Sequence, residues 1–209
     1  MDEDYWSAVR TMRLDIADLL ESLTAGEWDE PSLCRGWRVR DVAGHLAVVP
    51  VITTWQMMVV APRARFDPNR INTLVATREG SRRPKEILAM LRERAGERGT
   101  ARLLDTRNAL FDVIVHSQDI ALPLGRDFPV PVTLAHSGLQ RVWEMGWPFH
   151  ARKRLDRLTL RATDTDWRVG DGPEVSGPAV ALLLLLTGRK EAAAGNLRGP
   201  GLTSLEATP

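Results

Sequence analysis

Two histidines and an aspartate in this sequence have the residue types and the spacing of a metal site. Asp112 and His116 are four residues apart, so on a helix both side chains lie on the same face, one turn from each other. His45, on another helix, could supply a third ligand. Three protein ligands leave one coordination position of a divalent cation open, and a catalytic metal needs such an open position.

The same residues could instead form a buried ion pair that needs no metal. The stretches around them, Val42–Val49 and Leu110–Val115, are mostly apolar. Placing Asp112 and His116 on an apolar helix is costly unless the two pair with each other or bind a cation. The residue types alone therefore leave both interpretations open.

Three further side chains lie close to this set in the sequence. Asp119 follows His116 by one helical turn and could orient its imidazole or pair with a nearby arginine. Trp37 stands at the start of the predicted second helix, where we expect it to anchor a loop rather than to contact a ligand. Cys34 has no histidine near it in the sequence. We expect it to be a buried small residue in a loop near the mouth of the site rather than a nucleophile.

The elements that must position these residues are mainly helical. Apolar residues recur every three or four positions, and prolines and glycines separate the segments. Pro50 should bend the second helix, and Asn69 or Asn72 should cap a short third segment. The predicted long helices span residues 4–24, 39–60, 84–98, 106–122 and 131–146.

The C-terminal part of the chain has a different pattern. Alternating apolar residues predict short strands, and Pro178 fits the first turn of a helix. The predicted elements are strands at 158–162, 166–169 and 174–176, a helix at 179–187 and a loop at 195–209. We therefore predict a mainly α protein with a helical bundle over residues 1–148 and a small α+β domain over residues 149–209.

The composition narrows the class of protein further. The 209 residues include 28 basic and 27 acidic side chains, and the net charge of +1 provides no field that would attract nucleic acid or an anionic membrane surface. The single cysteine, Cys34, excludes an internal disulfide and a cysteine-rich zinc site. The longest apolar run, residues 179–186, is far shorter than the ~20 residues of a membrane span, and the N-terminus lacks a signal-peptide pattern. We therefore expect a cytoplasmic protein.

Several motifs also follow one another in the order of a known family. They are the segment Trp28–Leu46 with its Gly36-Trp37 and His45-Leu46 pairs, the loop Phe66–Asn72, the segment Val115–Arg126 and the segment Val175–Arg189. In these stretches the chain resembles the mycothiol-dependent maleylpyruvate isomerases, which belong to the DinB-like four-helix-bundle metalloproteins. The resemblance covers nearly the whole chain.

The resemblance implies a divalent metal, usually zinc, bound by His45, Asp112 and His116. The family's acidic ligand is more commonly glutamate, and aspartate is one methylene shorter. The resemblance also implies that Arg189, in the C-terminal domain, helps catalysis. The alternative for Arg189 is an arginine that satisfies the C-terminal end of a helix.

The resemblance further implies mycothiol, the low-molecular-weight thiol of actinobacteria, as a thiol cosubstrate. The metal would favour the thiolate, which would attack a small electrophile and lead to thiol transfer or cis–trans isomerisation. Two alternatives stay open, namely a hydrolase that uses zinc-bound water with Asp119 as its general base and a non-catalytic protein that binds a metal or a small ligand. We expect no nucleic-acid or membrane partner, and either a monomer or a homodimer.

Overall fold

The computed structural model describes residues 3–99 and 105–206 of the chain. It is mainly helical with one small sheet, which confirms the predicted fold class. The chain divides into two compact units, Met1–Phe128 and Pro129–Pro209. The division lies earlier than the predicted boundary at 148, because the helix that begins at Val132 packs within the second unit.

The first unit is a bundle of helices. Two short 3-10 turns, Glu27–Asp29 and Thr106–Asn108, precede its second and last α-helices. Its α-helices are α1 (Glu3–Glu21), α2 (Val39–Val48), α3 (Thr54–Val60), α4 (Pro68–Gly80), α5 (Pro84–Glu93) and α6 (Ala109–Ala121). α2 contacts α4, α5 and α6, while α1 contacts α5 and α6. As a result α2 and α6, which carry the candidate metal ligands, are neighbours in the bundle.

α6 is almost entirely buried. Every residue from Val113 to Ala121 is buried. A helix that is apolar on nearly all sides belongs in the interior. His116 and Asp119 are therefore carried into the core, where their polar atoms must find partners.

Two glycines set the distance between α2 and α4. A Cβ atom at Gly44 would meet the backbone nitrogen of Gly80, and one at Gly80 would lie 2.5 Å from Asp41 Oδ1. The absence of both side chains lets the two backbones approach closely. This contact holds α2 in place one residue before His45.

The predicted helix over residues 39–60 is in fact two helices. α2 ends at Val48 and α3 begins at Thr54, because Pro50 has no amide hydrogen with which to continue the helix. Thr53 starts α3 with a capping box, in which Thr53 Oγ1 accepts from the backbone of Gln56 and Gln56 Oε1 accepts from the backbone of Thr53.

Two helix ends also differ from the sequence-based expectation. The predicted caps Asn69 and Asn72 are wrong. Asp67 caps α4, because its side chain accepts hydrogen bonds from the backbone amides of Asn69 and Arg70, and Pro68 occupies the first turn. α5 ends at Glu93, earlier than the predicted end at residue 98.

The second unit combines helices with a three-stranded sheet. Its elements are α7 (Val132–Glu144), α8 (Ala151–Arg154), β1 (Thr159–Ala162), β2 (Arg168–Val169), β3 (Glu174–Gly177), α9 (Ala179–Leu186), α10 (Lys190–Ala194) and α11 (Leu202–Glu206). β1 is central, antiparallel to β2 and parallel to β3. The apolar helix α9 packs on α7, α10, β1 and β3, and it therefore forms the core of this unit.

The predicted loop over residues 195–209 is wrong for residues 202–206. These residues form α11, and Leu205 is buried. Residues 207–209 of that prediction lie outside the described residues. Across residues 3–99 and 105–206, the helices fall short of the combination of length and apolar character needed to cross a membrane.

Candidate metal centre

The packing of α2 against α6 brings the two histidines of the predicted site together. The ring centroids of His45 and His116 are 4.7 Å apart, and the ring planes make an angle of 70°. Both imidazoles are buried. Asp112 lies one turn before His116 on α6, with its side chain 28% exposed.

The carboxylate of Asp112 lies between the two imidazoles. Asp112 Oδ2 is 3.5 Å from His45 Nε2, and Asp112 Oδ1 is 3.5 Å from His116 Nε2. One ligand atom from each residue lies within 4.8 Å of the others, so the three atoms form a compact triangle. Nitrogen and oxygen ligands held at about 2.0–2.2 Å from a tetrahedral zinc ion stand ~3.3 Å apart, close to the 3.5 Å between each Asp112 oxygen and its nearer imidazole nitrogen.

His45 supports the fit to a metal most directly. Its side chain is 6% exposed, yet among the described residues neither Nδ1 nor Nε2 has a hydrogen-bond partner. A buried polar group without a partner costs free energy, and a cation bound at Nε2 would remove that cost for one nitrogen. His45, Asp112 and His116 therefore fit a divalent cation, although its binding stays a prediction.

The electrostatics of the site favour a charged Asp112. Burial alone would raise its pKa, but the neighbouring imidazoles of His116 and His45 and the guanidinium of Arg13 lower the pKa to about 2. The carboxylate is therefore anionic over the whole physiological range. An anionic oxygen is the form in which aspartate binds a metal.

The pKa of His116 shifts in the opposite direction to that of Asp112. Burial would lower its pKa, but the nearby Asp112, Cys34 and Asp119 together raise the pKa well above its ordinary value. Without a metal, the site thus holds a proton where a cation would bind. Metal and proton compete for His116 Nε2, so metal binding must release protons.

The other edge of His116 meets a second pair of side chains. Asp119 Oδ2 lies 2.8 Å from His116 Nδ1, and the thiol of Cys34 donates to the same oxygen over 3.0 Å. Cys34 Sγ is also 3.6 Å from His116 Nδ1. Asp119 is completely buried, and it contacts the imidazole edge that is opposite to Asp112.

The contact of Cys34 with His116 was missed by the sequence analysis. Cys34 lies in the loop before α2, as expected, but it is half-buried rather than buried, and the fold brings it to a histidine 82 positions away. The loop reaches α6 through a backbone hydrogen bond from Leu33 N to Asp119 O, 3.1 Å long. No local sequence motif predicts a contact between Cys34 and His116.

Trp37 covers both histidines. Its ring is stacked on that of His116 at 6.3 Å with 16° between the planes, and it lies 5.5 Å from that of His45 at 54°. Its Nε1 donates to Thr73 Oγ1 over 3.4 Å. Trp37 is therefore more than a loop anchor, since its indole forms one wall of the site.

Arg189 lies in the second unit. It follows the C-terminal end of α9, and its Nη1 donates to the carbonyl of Thr187 over 2.8 Å. This bond is the one expected of an arginine that satisfies the end of a helix. The part that Arg189 plays in catalysis stays a prediction.

Comparison with known proteins gives a family match within the first unit. Residues 9–106 match the family model described as the mycothiol maleylpyruvate isomerase N-terminal domain. That region includes His45, whereas Asp112 and His116 follow it. No curated protein sequence is a significant match.

Two solved structures have a similar fold. The crystal structure of the mycothiol-dependent maleylpyruvate isomerase has a TM-score of 0.66 and 13% sequence identity, with 95% of this chain and 92% of that chain covered. A histidine-to-alanine mutant of that enzyme gives a TM-score of 0.64 at the same identity and coverage. At this identity the likeness shows the fold alone. Residues 9–106, just under half of the chain, thus resemble that N-terminal domain, and the chain as a whole shares the fold of the mycothiol-dependent maleylpyruvate isomerase.

Proposed function

We propose that this protein is an enzyme that binds a divalent cation, zinc, and activates mycothiol for transfer to, or isomerisation of, a small electrophile. His45, Asp112 and His116 are the proposed metal ligands. The observation that carries the proposal is the buried imidazole of His45, which has no hydrogen-bond partner among the described residues and faces a carboxylate shared with His116. The match of residues 9–106 to the mycothiol maleylpyruvate isomerase N-terminal domain supports the choice of mycothiol as the thiol.

A cation held by three protein ligands would offer an open position at which a thiol is favoured in its anionic form. The protein's own residues prepare that position. Asp112 supplies negative charge, because its low pKa keeps it ionised. Asp119 accepts a hydrogen bond from His116 Nδ1, so that once Nε2 has lost its proton, its lone pair is directed towards Asp112 and the site.

The surroundings of the site exclude water from one side. Trp37 is 8% exposed and lies over both imidazoles. An apolar wall of this kind strengthens the electrostatic interactions inside the site. Arg189 is the proposed partner for a substrate carboxylate, which its guanidinium can bind with two hydrogen bonds.

The hydrolase alternative is less compatible with the geometry. It requires Asp119 to act as a general base beside the open metal position. Asp119 is completely buried, and its Oδ2 contacts the Nδ1 edge of His116 rather than the Nε2 edge that faces Asp112. Asp119 is therefore better suited to orient His116 than to take a proton from water.

The proposal extends to partners and compartment. The expected partners are a low-molecular-weight thiol and a small electrophile. We place the protein in the cytoplasm, since its single cysteine cannot form an internal disulfide and a free thiol cosubstrate needs a reducing compartment.

The test combines metal content with turnover. The purified protein should hold about one zinc per chain, and His45→Ala should lose it, whereas His136→Ala should keep it because His136 lies in the second unit, bonded to Thr165. The zinc-loaded protein should consume members of a panel of small unsaturated carboxylic acids only when mycothiol is added. A protein without metal after reconstitution would overturn the metal site, and turnover without thiol would favour the hydrolase.

A further inference from the structure

The loop between residues 32 and 37 holds two side chains against one proposed metal ligand. Cys34 reaches the Nδ1 edge of His116, and Trp37 stacks on the face of the same ring. The opposite edge, at Nε2, faces Asp112. His116 is therefore contacted on one edge and one face by a single loop, while its metal-binding edge is left to the site.

We propose that Cys34 and Trp37 are positioning residues that fix the tautomer and the orientation of His116 for metal binding. The proposal rests on the proposed function, because it assigns His116 Nε2 to the metal. It gives the single cysteine of the chain a role distinct from that of a nucleophile or a ligand.

The hydrogen bonds determine which nitrogen of His116 carries the proton. An ionised carboxylate only accepts hydrogen bonds, so a neutral His116 must donate from Nδ1 to Asp119 Oδ2. The lone pair is then on Nε2, as a metal ligand requires. Cys34 donates to the same Oδ2 atom and so holds the carboxylate in place. Loss of this donor would remove one of the contacts that hold the Asp119 carboxylate against the imidazole.

The loop is built to hold these two side chains. Trp37 N donates to Cys34 O over 2.9 Å, and Cys34 N donates to Ser32 Oγ over 3.2 Å. Gly36 lies between them with φ +79°, a conformation that an L side chain rarely adopts. The bond from Leu33 N to Asp119 O ties the loop to α6 itself.

The indole complements this arrangement from the ring face. The rings of Trp37 and His116 are nearly parallel, with 16° between the planes, and the proposal assigns Trp37 the role of restraining rotation of the imidazole about its χ2 bond. The Nε1–Thr73 hydrogen bond anchors the indole to α4. In this proposal, Asp119 and Cys34 determine which ring nitrogen of His116 carries the proton. Trp37 determines the orientation of the ring plane.

The test uses substitutions that keep or remove each contact. Cys34→Ala removes the donor, whereas Cys34→Ser retains a hydroxyl donor. Trp37→Leu removes the stacked ring, and Trp55→Leu is the matched control because Trp55 is 75% exposed on α3. Zinc dissociation constants are measured by competition with a chromophoric chelator. In the zinc-loaded proteins, the ¹⁵N shifts of His116 report which ring nitrogen binds zinc and which carries the proton.

We expect Cys34→Ala and Trp37→Leu to weaken zinc binding about 10- to 100-fold, the usual range for a side chain that orients a metal ligand. Cys34→Ser should recover most of the affinity, and Trp55→Leu should match the wild type. Cys34→Ala should also give a mixture of His116 tautomers. Wild-type affinity and an unchanged tautomer in both variants would overturn the proposal while leaving the metal site intact. Failure of the wild type to bind zinc would instead overturn the proposed function.

Discussion

The imidazoles of His45 and His116 come from two different helices, yet their ring centroids are only 4.7 Å apart. Asp112 approaches the Nε2 atom of each ring to 3.5 Å. In the metal-free protein the carboxylate of Asp112 pairs with both rings. The arrangement is the one that a cation would stabilise, and it leads to the following expectations.

The length and charge of the acidic side chain can be tested at residue 112. Asp112→Glu should keep the metal, because the longer carboxylate spans the same gap between the two rings. Asp112→Asn keeps the shape but removes the charge, and it should weaken zinc binding by at least about 100-fold, more than loss of an orienting residue does. Competition with a chelator measures the zinc affinities of the wild type and of both variants. Equal affinities for the wild type and the Asp112→Asn variant would mean that the carboxylate is not a ligand.

The stability of the metal-free protein should depend on pH through two groups with opposite shifts. The pKa of Asp112 is lowered to about 2, so its contribution is complete above about pH 4 and is lost as the pH falls through 2. The pKa of His116 is raised, so its contribution is complete below about pH 6.5 and is lost as the pH rises through the raised value.

Urea unfolding of the metal-free protein across this range measures the dependence. Stability should be greatest between about pH 4 and pH 6.5. Asp112→Asn should flatten the acid side, and His116→Gln should flatten the alkaline side. A stability that increases steadily on the alkaline side would contradict the direction assigned to His116.

The close contact between α2 and α4 predicts a structural effect on the site. Gly44→Ala places a methyl group against the backbone of Gly80, and the overpacking should cost about 1–3 kcal/mol of unfolding free energy. Because Gly44 precedes His45, zinc binding should weaken as well. Gly26→Ala is the control, since a Cβ atom there meets nothing within 4 Å. Thermal unfolding measures the loss of stability in both variants, and zinc titration measures their affinity for the metal.

The two interpretations of Arg189 separate by substitution. If it binds a substrate carboxylate, Arg189→Ala and Arg189→Lys should both raise KM for an acidic electrophile with little change in stability. If it only completes the end of α9, stability should fall while turnover per folded molecule stays constant. Arg152→Ala, an exposed arginine of the same unit, provides the control for a general change of charge.

The sequence predicts the core of this site for a simple physical reason. Asp112 and His116 have helical spacing on a strongly apolar segment. That segment does form a helix, α6, so the two side chains lie on one helix face as predicted. The break between α2 and α3 was less accessible, because Pro50 can either bend or end a helix. The pair Thr53 and Gln56, which forms the capping box of α3, was the available signal for a new helix start.

The contacts of Cys34 and Trp37 could not be predicted in the same way. They depend on how a loop of the first unit folds back onto α6, and that depends on the hydrogen bond between Leu33 and Asp119 and on the left-handed conformation of Gly36. Neither is visible in the pattern of apolar residues. The identity of a metal ligand is thus a local property of the sequence, whereas the groups that orient it are a property of the fold.

The most direct test of the account is the optical spectrum of the cobalt-substituted protein during titration with mycothiol. The account predicts a sulfur-to-cobalt charge-transfer band in the near ultraviolet that saturates at one thiol per cobalt. The band should be absent with the disulfide form of mycothiol and absent in His45→Ala. A wild-type protein that holds one cobalt and shows no spectral change with mycothiol would contradict the claim that this site activates a thiol.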